Sequence, residues 1–132
     1  MASSIQMFQE IPNAPKAVGP YSPAVRAGGM VFISGQVPID PSTGQLAGSD
    51  ISVQTQQVLT NLKAVLSHLG LGFENVVKST IFLTDLSNFQ TVNALYSEAL
   101  GSHKPARSTI QVSALPLGAN VEIEMIAVDS AK

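Results

Sequence analysis

The chain has 132 residues, 45% hydrophobic and 12% charged, room for one domain over residues 1–132 with one modest core. Seven basic and nine acidic residues give a net charge of -2, with no Lys/Arg block to neutralise phosphates and no basic amphipathic segment for lipid, so neither nucleic acid nor membrane is an expected partner. The absence of cysteine excludes disulfides, thiolate metal sites and a cysteine nucleophile; it suits a reducing cytoplasm, the expected location of a chain whose first residues, MASSIQMFQE, lack the basic and apolar regions of a signal peptide.

In chain order, IQMFQEI is a candidate extra strand. AVRAGGMVFISG reads as a β-hairpin, because Gly28 and Gly29 can take the positive φ values of a tight turn between two apolar stretches. VPIDPSTGQL carries turn residues without periodicity and is expected to be a loop. From Asp50 or Ser52, either of which could cap a helix, Val58, Leu62, Val65, Leu66 and Leu69 recur at helical spacing until Gly70.

NVVKSTIFLTD is β-branched, aromatic and apolar on both parities, the pattern of a central strand covered on both faces. Ser87 is the expected cap of a second helix, with Phe89, Val92, Tyr96, Ala99 and Leu100 as its buried stripe and Asn93 bordering it. ARSTIQVS and NVEIEMIAV, joined through ALPLGA, read as a second hairpin. The result is a ββαβαββ chain of α+β class. Right-handed crossovers would place both helices on one face of the sheet. The last strand is apolar on both sides, so its second side is expected to be buried against copies of the same chain.

Arg107 is the residue that invites a functional question, because a guanidinium inside a strand is costly to bury unless an anion meets it. Strand alternation puts Arg107, Thr109, Gln111 and Ser113 on one side. Across the expected hairpin Glu122 and Glu124 also share a side, and registers that place either one opposite the polar side of ARSTIQVS fit the loop. Guanidinium and carboxylates are therefore candidates for one pocket. A cross-strand ion pair on a solvated face gives the same pattern, and alternation does not choose between them.

Other signals are weaker. GLGFEN lacks the third glycine of a dinucleotide fingerprint and follows a helix, so it reads as a helix-ending turn. His68 and His103 lie in separate segments without a second ligand at helical spacing, so no metal is expected. Glu124 reads as an alternate strand charge outside the catalytic set.

NAPKAVGPYSPAV, FISGQVPIDPSTG, NLKAVL, VVKSTIFLTDLSNFQTVNALY, KPARSTIQVSALPLGA and VEIEMIAV together resemble, in order and spacing, the segments of the RidA-type family, the reactive intermediate deaminases also called YjgF-like proteins. The resemblance covers nearly the whole chain and rests on the series rather than on any one motif. It implies a chorismate-mutase-like fold, and a homotrimer whose sheets face a central barrel with three clefts between subunits. It also implies an activity without cofactor: hydrolysis of 2-imino acids, formed from 2-aminoacrylate or 2-aminocrotonate, to 2-oxo acids and ammonium.

Carried over by resemblance, Arg107 clamps the substrate carboxylate through its planar fork, and Glu122 orients or deprotonates water and shuttles a proton to the leaving nitrogen. Tyr21 matches the aromatic that closes the pocket, and Ser34 and Gly35 match positions whose backbone approaches the ligand. Asn93 matches an asparagine at the cleft. On residues alone, Tyr21 could equally pack on a core surface and Asn93 could bond a loop. Thr109 stands where many deaminases carry cysteine; it keeps the backbone groups and lacks the thiol, which the hydrolysis does not need. The family also contains members without this activity, so the alternative is a non-catalytic module binding small carboxylates or protein partners through the same surfaces.

Overall fold

The structure is a computed structural model, and it describes residues 4–129. Two strands open the fold, β1 (Ile5–Phe8) and β2 (Ala24–Ala27), followed by β3 (Met30–Gln36). Gly28 and Gly29 have φ of 59° and 77°, the paired left-handed conformation that a two-residue turn between β2 and β3 requires. VPIDPSTGQL is more ordered than expected: β4 (Ile39–Asp40) and β5 (Gln45–Leu46) form a small separate hairpin. Its turn is closed by Asp40, whose carboxylate accepts from the Ser42 amide and hydroxyl at 2.9 and 2.7 Å.

Helix α1 (Ile51–His68) begins at Asp50, not Ser52: the Asp50 carboxylate accepts from the amides of Ser52 and Val53, satisfying two of the donors that a helix start leaves open. Val58, Leu62, Val65 and Leu66 are fully buried, as the periodicity required. Strand β6 (Val76–Leu83) follows.

Helix α2 (Phe89–Leu100) corrects two expectations. The capping carboxylate is Asp85, which accepts from the Ser87 amide at 2.9 Å and starts a short 3-10 turn over Leu86–Asn88 ahead of the helix. The buried stripe is Val92, Tyr96 and Leu100, while Ala99 is exposed and Phe89 is 36% exposed.

Strands β7 (Ala106–Gln111) and β8 (Val121–Val128) are not a hairpin. The six-stranded sheet runs β1-β2-β3-β8-β6-β7. Strand β8 lies antiparallel between β3 and β6, and β7 is an edge strand parallel to β6. The local signal of two strands around a loop was right about the strands and silent about β6 between them. Because β8 is antiparallel to both neighbours, β3 and β6 run parallel. Both helices are then crossovers between parallel strands, β3–α1–β6 and β6–α2–β7, advancing in the same direction, and right-handedness puts them on one face.

That face holds the core. Val31, Ile33, Ile81, Leu83, Val121, Ile123, Met125 and Ala127 meet the buried stripes of α1 and α2. On the other face Phe32 and Ile110 are 44% and 46% exposed, and Phe82 and Ile126 are half-buried. Within one chain β6 is therefore covered on one face only, which is how a strand can be apolar on both parities while half of it stays open.

Candidate functional site

Two groups of candidate residues emerge, on opposite faces of the sheet. The first surrounds Arg107. In the register of β6 and β7 Arg107 lies beside Ser79 and Thr109 beside Ile81, so both turn to the helix face. Arg107 Nη1 donates to Asn93 Oδ1 at 2.7 Å. Its Cζ lies 5.6 Å from the centre of the Phe89 ring and 5.2 Å from that of Tyr96. Tyr96 in turn donates through its hydroxyl to Ser79 Oγ at 2.8 Å, both groups being buried. Burial raises the Tyr96 pKa, against the opposing pull of Ser79 and of the Arg107 charge, so the phenol remains a neutral donor.

Beside Arg107 opens a hollow of about 390 Å³, lined among others by Asn93, Tyr96, Ser97, His103 and Lys104. His103 Nε2 lies 2.7 Å from the Val76 carbonyl; a carbonyl only accepts, so that nitrogen carries the hydrogen. The Thr109 hydroxyl oxygen is buried and has no hydrogen-bond partner among the described residues.

The second group surrounds Glu122. In register Glu122 lies beside Phe82, and Phe82 beside Ile110, which puts the carboxylate on the open face. Strand β3 is irregular between Ile33 and Gln36, and this bulge presents Gly35 to Glu122. A Cβ built on Gly35 would fall inside the Glu122 carboxylate, so it is space rather than φ that makes glycine the residue that leaves the carboxylate where it stands. Burial, then the neighbouring charge of Glu124, raise the Glu122 pKa.

The same bulge carries Ser34, whose hydroxyl donates to the Ser22 carbonyl at 2.6 Å and whose amide donates to the Pro23 carbonyl at 2.9 Å. These bonds tie the loop bearing Tyr21 to the bulge. Tyr21 is 46% exposed, and its phenol oxygen accepts from the Val18 amide at 3.4 Å.

The expectation that Arg107 and Glu122 share a pocket across a hairpin is therefore corrected. Strand β6 separates them, roughly 10 Å at the usual strand spacing, and they project from opposite faces. Among the described residues the single side-chain ion pair is Arg26–Asp129, at 2.7 Å, so neither Arg107 nor Glu122 has an oppositely charged partner among them. A larger hollow of about 870 Å³ lies between residues 10–18, the β4–β5 hairpin and α1, and no candidate residue lines it.

Sequence reasoning passed over two buried amides of α1 that hold the Glu122 group in place. Gln54 accepts from the Asn120 amide at 2.9 Å, just ahead of β8, and donates to the Gly48 carbonyl at 2.7 Å. Asn61 donates to the carbonyls of Val37 and Ile39, just after the Gly35 bulge, at 3.2 and 2.9 Å. Their signal was available: each sits on the apolar stripe side of an amphipathic helix, where an amide must find partners.

Fold and site define a class first: α+β proteins with two helices on one face of a mixed sheet, an edge-strand arginine, and a half-buried glutamate on the face left open. The chain belongs to the family described as Endoribonuclease L-PSP, whose profile matches residues 11–129, the RidA or YjgF-like proteins. It is 54% identical over 118 residues to Protein DfrA of Myxococcus xanthus, covering 88% of this chain and 90% of that protein. It is 42% identical over 128 residues to the Homo sapiens 2-iminobutanoate/2-iminopropanoate deaminase, covering 97% and 93%. The crystal structure of E. coli TdcF with bound serine superposes with a TM-score of 0.87 at 40% identity, covering 93% of this chain and 98% of that one. Among the described residues no helix is long and apolar enough to cross a membrane.

Proposed function

We propose that this chain is a cofactor-free deaminase that hydrolyses small reactive 2-imino acids to 2-oxo acids and ammonium, working as a homotrimer with the site between subunits. One observation carries the reading: among the described residues neither Arg107 nor Glu122 meets an opposite charge, one standing at a sheet edge and the other on an incompletely covered apolar face. A guanidinium and a half-buried carboxylate left in this way are complementary halves of a site for a substrate that brings one negative charge and one proton-accepting nitrogen. The deaminase names of mammalian relatives support the substrate class, and a solved relative holding serine supports binding of a small carboxylate with a nitrogen on the adjacent carbon.

Association of the open faces would bury Phe32, Phe82, Ile110 and Ile126, and would bring the β7 edge of one copy towards the Glu122 of another. Arg107 has Nη1 on Asn93, which leaves the Nε and Nη2 hydrogens as the fork for the carboxylate. With C2 of the imine held there, Glu122 accepts a proton from a water whose oxygen adds to C2. Glu122 returns that proton to nitrogen, giving a neutral carbinolamine; it then takes the proton of the C2 hydroxyl and delivers it to the same nitrogen, so that the C–N bond breaks as the carbonyl forms and ammonia leaves to be protonated in solvent. One water enters and one ammonia departs, so no cofactor is required. The raised pKa makes Glu122 a stronger base than an ordinary carboxylate and moves it towards the operating pH.

The decisive experiment generates 2-aminoacrylate or 2-aminocrotonate with a serine or threonine dehydratase and follows release of pyruvate or 2-oxobutanoate with and without this protein, alongside sedimentation to determine its mass. Accelerated release by a trimer is expected. A protein that binds 2-oxobutanoate and leaves the release rate unchanged is a binding module, and a stable monomer at working concentration removes the shared site.

A further inference from the structure

Phe89, Asn93 and Tyr96 occupy positions i, i+4 and i+7 of α2, one stripe of one helix face, and all three engage the same guanidinium. We propose that this stripe is a cradle for Arg107, in which Phe89 and Tyr96 are positioning residues that fix the guanidinium while leaving its charge for the substrate. The consequence for substrate rests on the proposed function; the cradle itself does not.

Three observations support it. The first is exposure: Phe89, at the start of α2, is 36% exposed and so is not held there by the core, yet its ring stands over Arg107. The second is axial position. Phe89 and Tyr96 are two turns apart, about 10 Å along the axis, and each ring centre lies within 6 Å of the same Cζ, so the guanidinium rests between the two turns. The third is anchoring. The Tyr96 hydroxyl is fixed by Ser79, which stands beside Arg107 in the sheet register.

The chemistry of the holders explains why they are rings and an amide. An arginine in a strand is usually steadied by a carboxylate, and a carboxylate would neutralise it and compete with an anionic substrate. Aromatic faces attract the cation through their quadrupole without consuming an N–H, and Asn93 consumes one. The cradle removes rotamer freedom from a long side chain before the ligand arrives, and preorganisation of this kind improves affinity without any new contact to the ligand.

Phe89→Leu keeps the helix and the apolar character of the site while deleting the quadrupole; Phe89→Tyr restores the ring. Calorimetry with 2-oxobutanoate, at matched oligomer mass, is expected to show binding weakened about three- to tenfold by Phe89→Leu, the range of one partly exposed cation–π contact, and regained in Phe89→Tyr. kcat/KM for imine should fall by a similar factor, with the acid limb of its pH profile unmoved, because Glu122 is untouched. Independently of any ligand, the Arg107 Nε–Hε resonance should shift in Phe89→Leu by the loss of the Phe89 ring current, that of Tyr96 remaining, and should return towards the parent position in Phe89→Tyr. Identical resonances in the parent and Phe89→Leu, or equal 2-oxobutanoate affinity, would overturn the cradle. If the parent binds no 2-oxo acid, the functional reading fails, and the resonance comparison still decides whether the cradle exists.

Discussion

Arg107 and Glu122 project from opposite faces of one sheet, with β6 between their strands, so a reaction that needs both requires two copies of the chain. Mixed oligomers test this directly. Under the proposed function, Arg107→Lys should misplace the substrate carboxylate, since one ammonium cannot reproduce a planar fork, and Glu122→Gln should remove the proton carrier, each lowering kcat/KM by roughly 10²–10⁴-fold. Co-refolded in equal amounts, the two inactive chains should regain activity at about a quarter of the shared sites, the random chance that an intact Arg107 meets an intact Glu122 across a symmetric interface. Activity no higher than that of either variant alone would place both groups in one chain's site or in none.

Glu122 predicts two pH effects from one cause. Its folded pKa is raised by burial and by Glu124, so the neutral form is favoured by the fold. The stability it supplies is full below the ordinary glutamate pKa and is lost as pH rises through the raised value. Glu122→Gln, which stays neutral, should therefore gain stability relative to the parent as pH rises through that window and match it more closely below. The same shift should put the acid limb of kcat/KM above the usual carboxylate range. Thermal melts and rate profiles from pH 4 to 8 check both, and parallel stability curves would count against the raised pKa.

Gly35→Ala should separate activity from stability. The new Cβ collides with the Glu122 carboxylate, the far end of a flexible side chain, which can swing away at little cost to the fold. The carboxylate would then be displaced from its working position. The expected result is a melting temperature close to that of the parent with kcat reduced about 10²-fold or more, the scale of losing a positioned base. Unchanged kcat would mean that Glu122 works from another rotamer.

Thr109 carries a buried hydroxyl without a partner among the described residues. Thr109→Val, of nearly equal shape, should raise stability by about 1 kcal/mol by removing an unsatisfied polar group. Thr109→Cys should retain imine hydrolysis, because the proposed chemistry requires no protein nucleophile. Destabilised oligomers in Thr109→Val would show that the hydroxyl finds its partner across a subunit interface.

Much of the fold was legible because its signals are local. Helix α1 is written in the spacing of Val58, Leu62, Val65 and Leu66 and ended by Gly70; the β2–β3 turn is written in Gly28-Gly29. The order of elements follows from these, and the single helical face follows from the handedness of crossovers. The two-sided apolar pattern of β8 corresponds to a second face that the two helices of the same chain leave uncovered.

Strand neighbours were not legible. Nothing in ARSTIQVS or NVEIEMIAV states that β6 lies between them, because pairing is decided by which surfaces the whole sheet can bury, not by the length of the connecting loop. With β6 in place, an alternation that could have put Arg107 opposite Glu122 puts them on different faces. The same is true of α2. Sequence periodicity assigns Phe89 to a buried stripe and Asn93 to its border, since it sees only the period of the helix. The tertiary structure sets Arg107 against that stripe and makes the three residues its holders. The sequence by itself determined which residues can carry charge, donate, stack or bend the chain. Tertiary packing decided which of them meet, because contacts distant in sequence depend on the sum of burial over the sheet and both helices rather than on any segment's own preference.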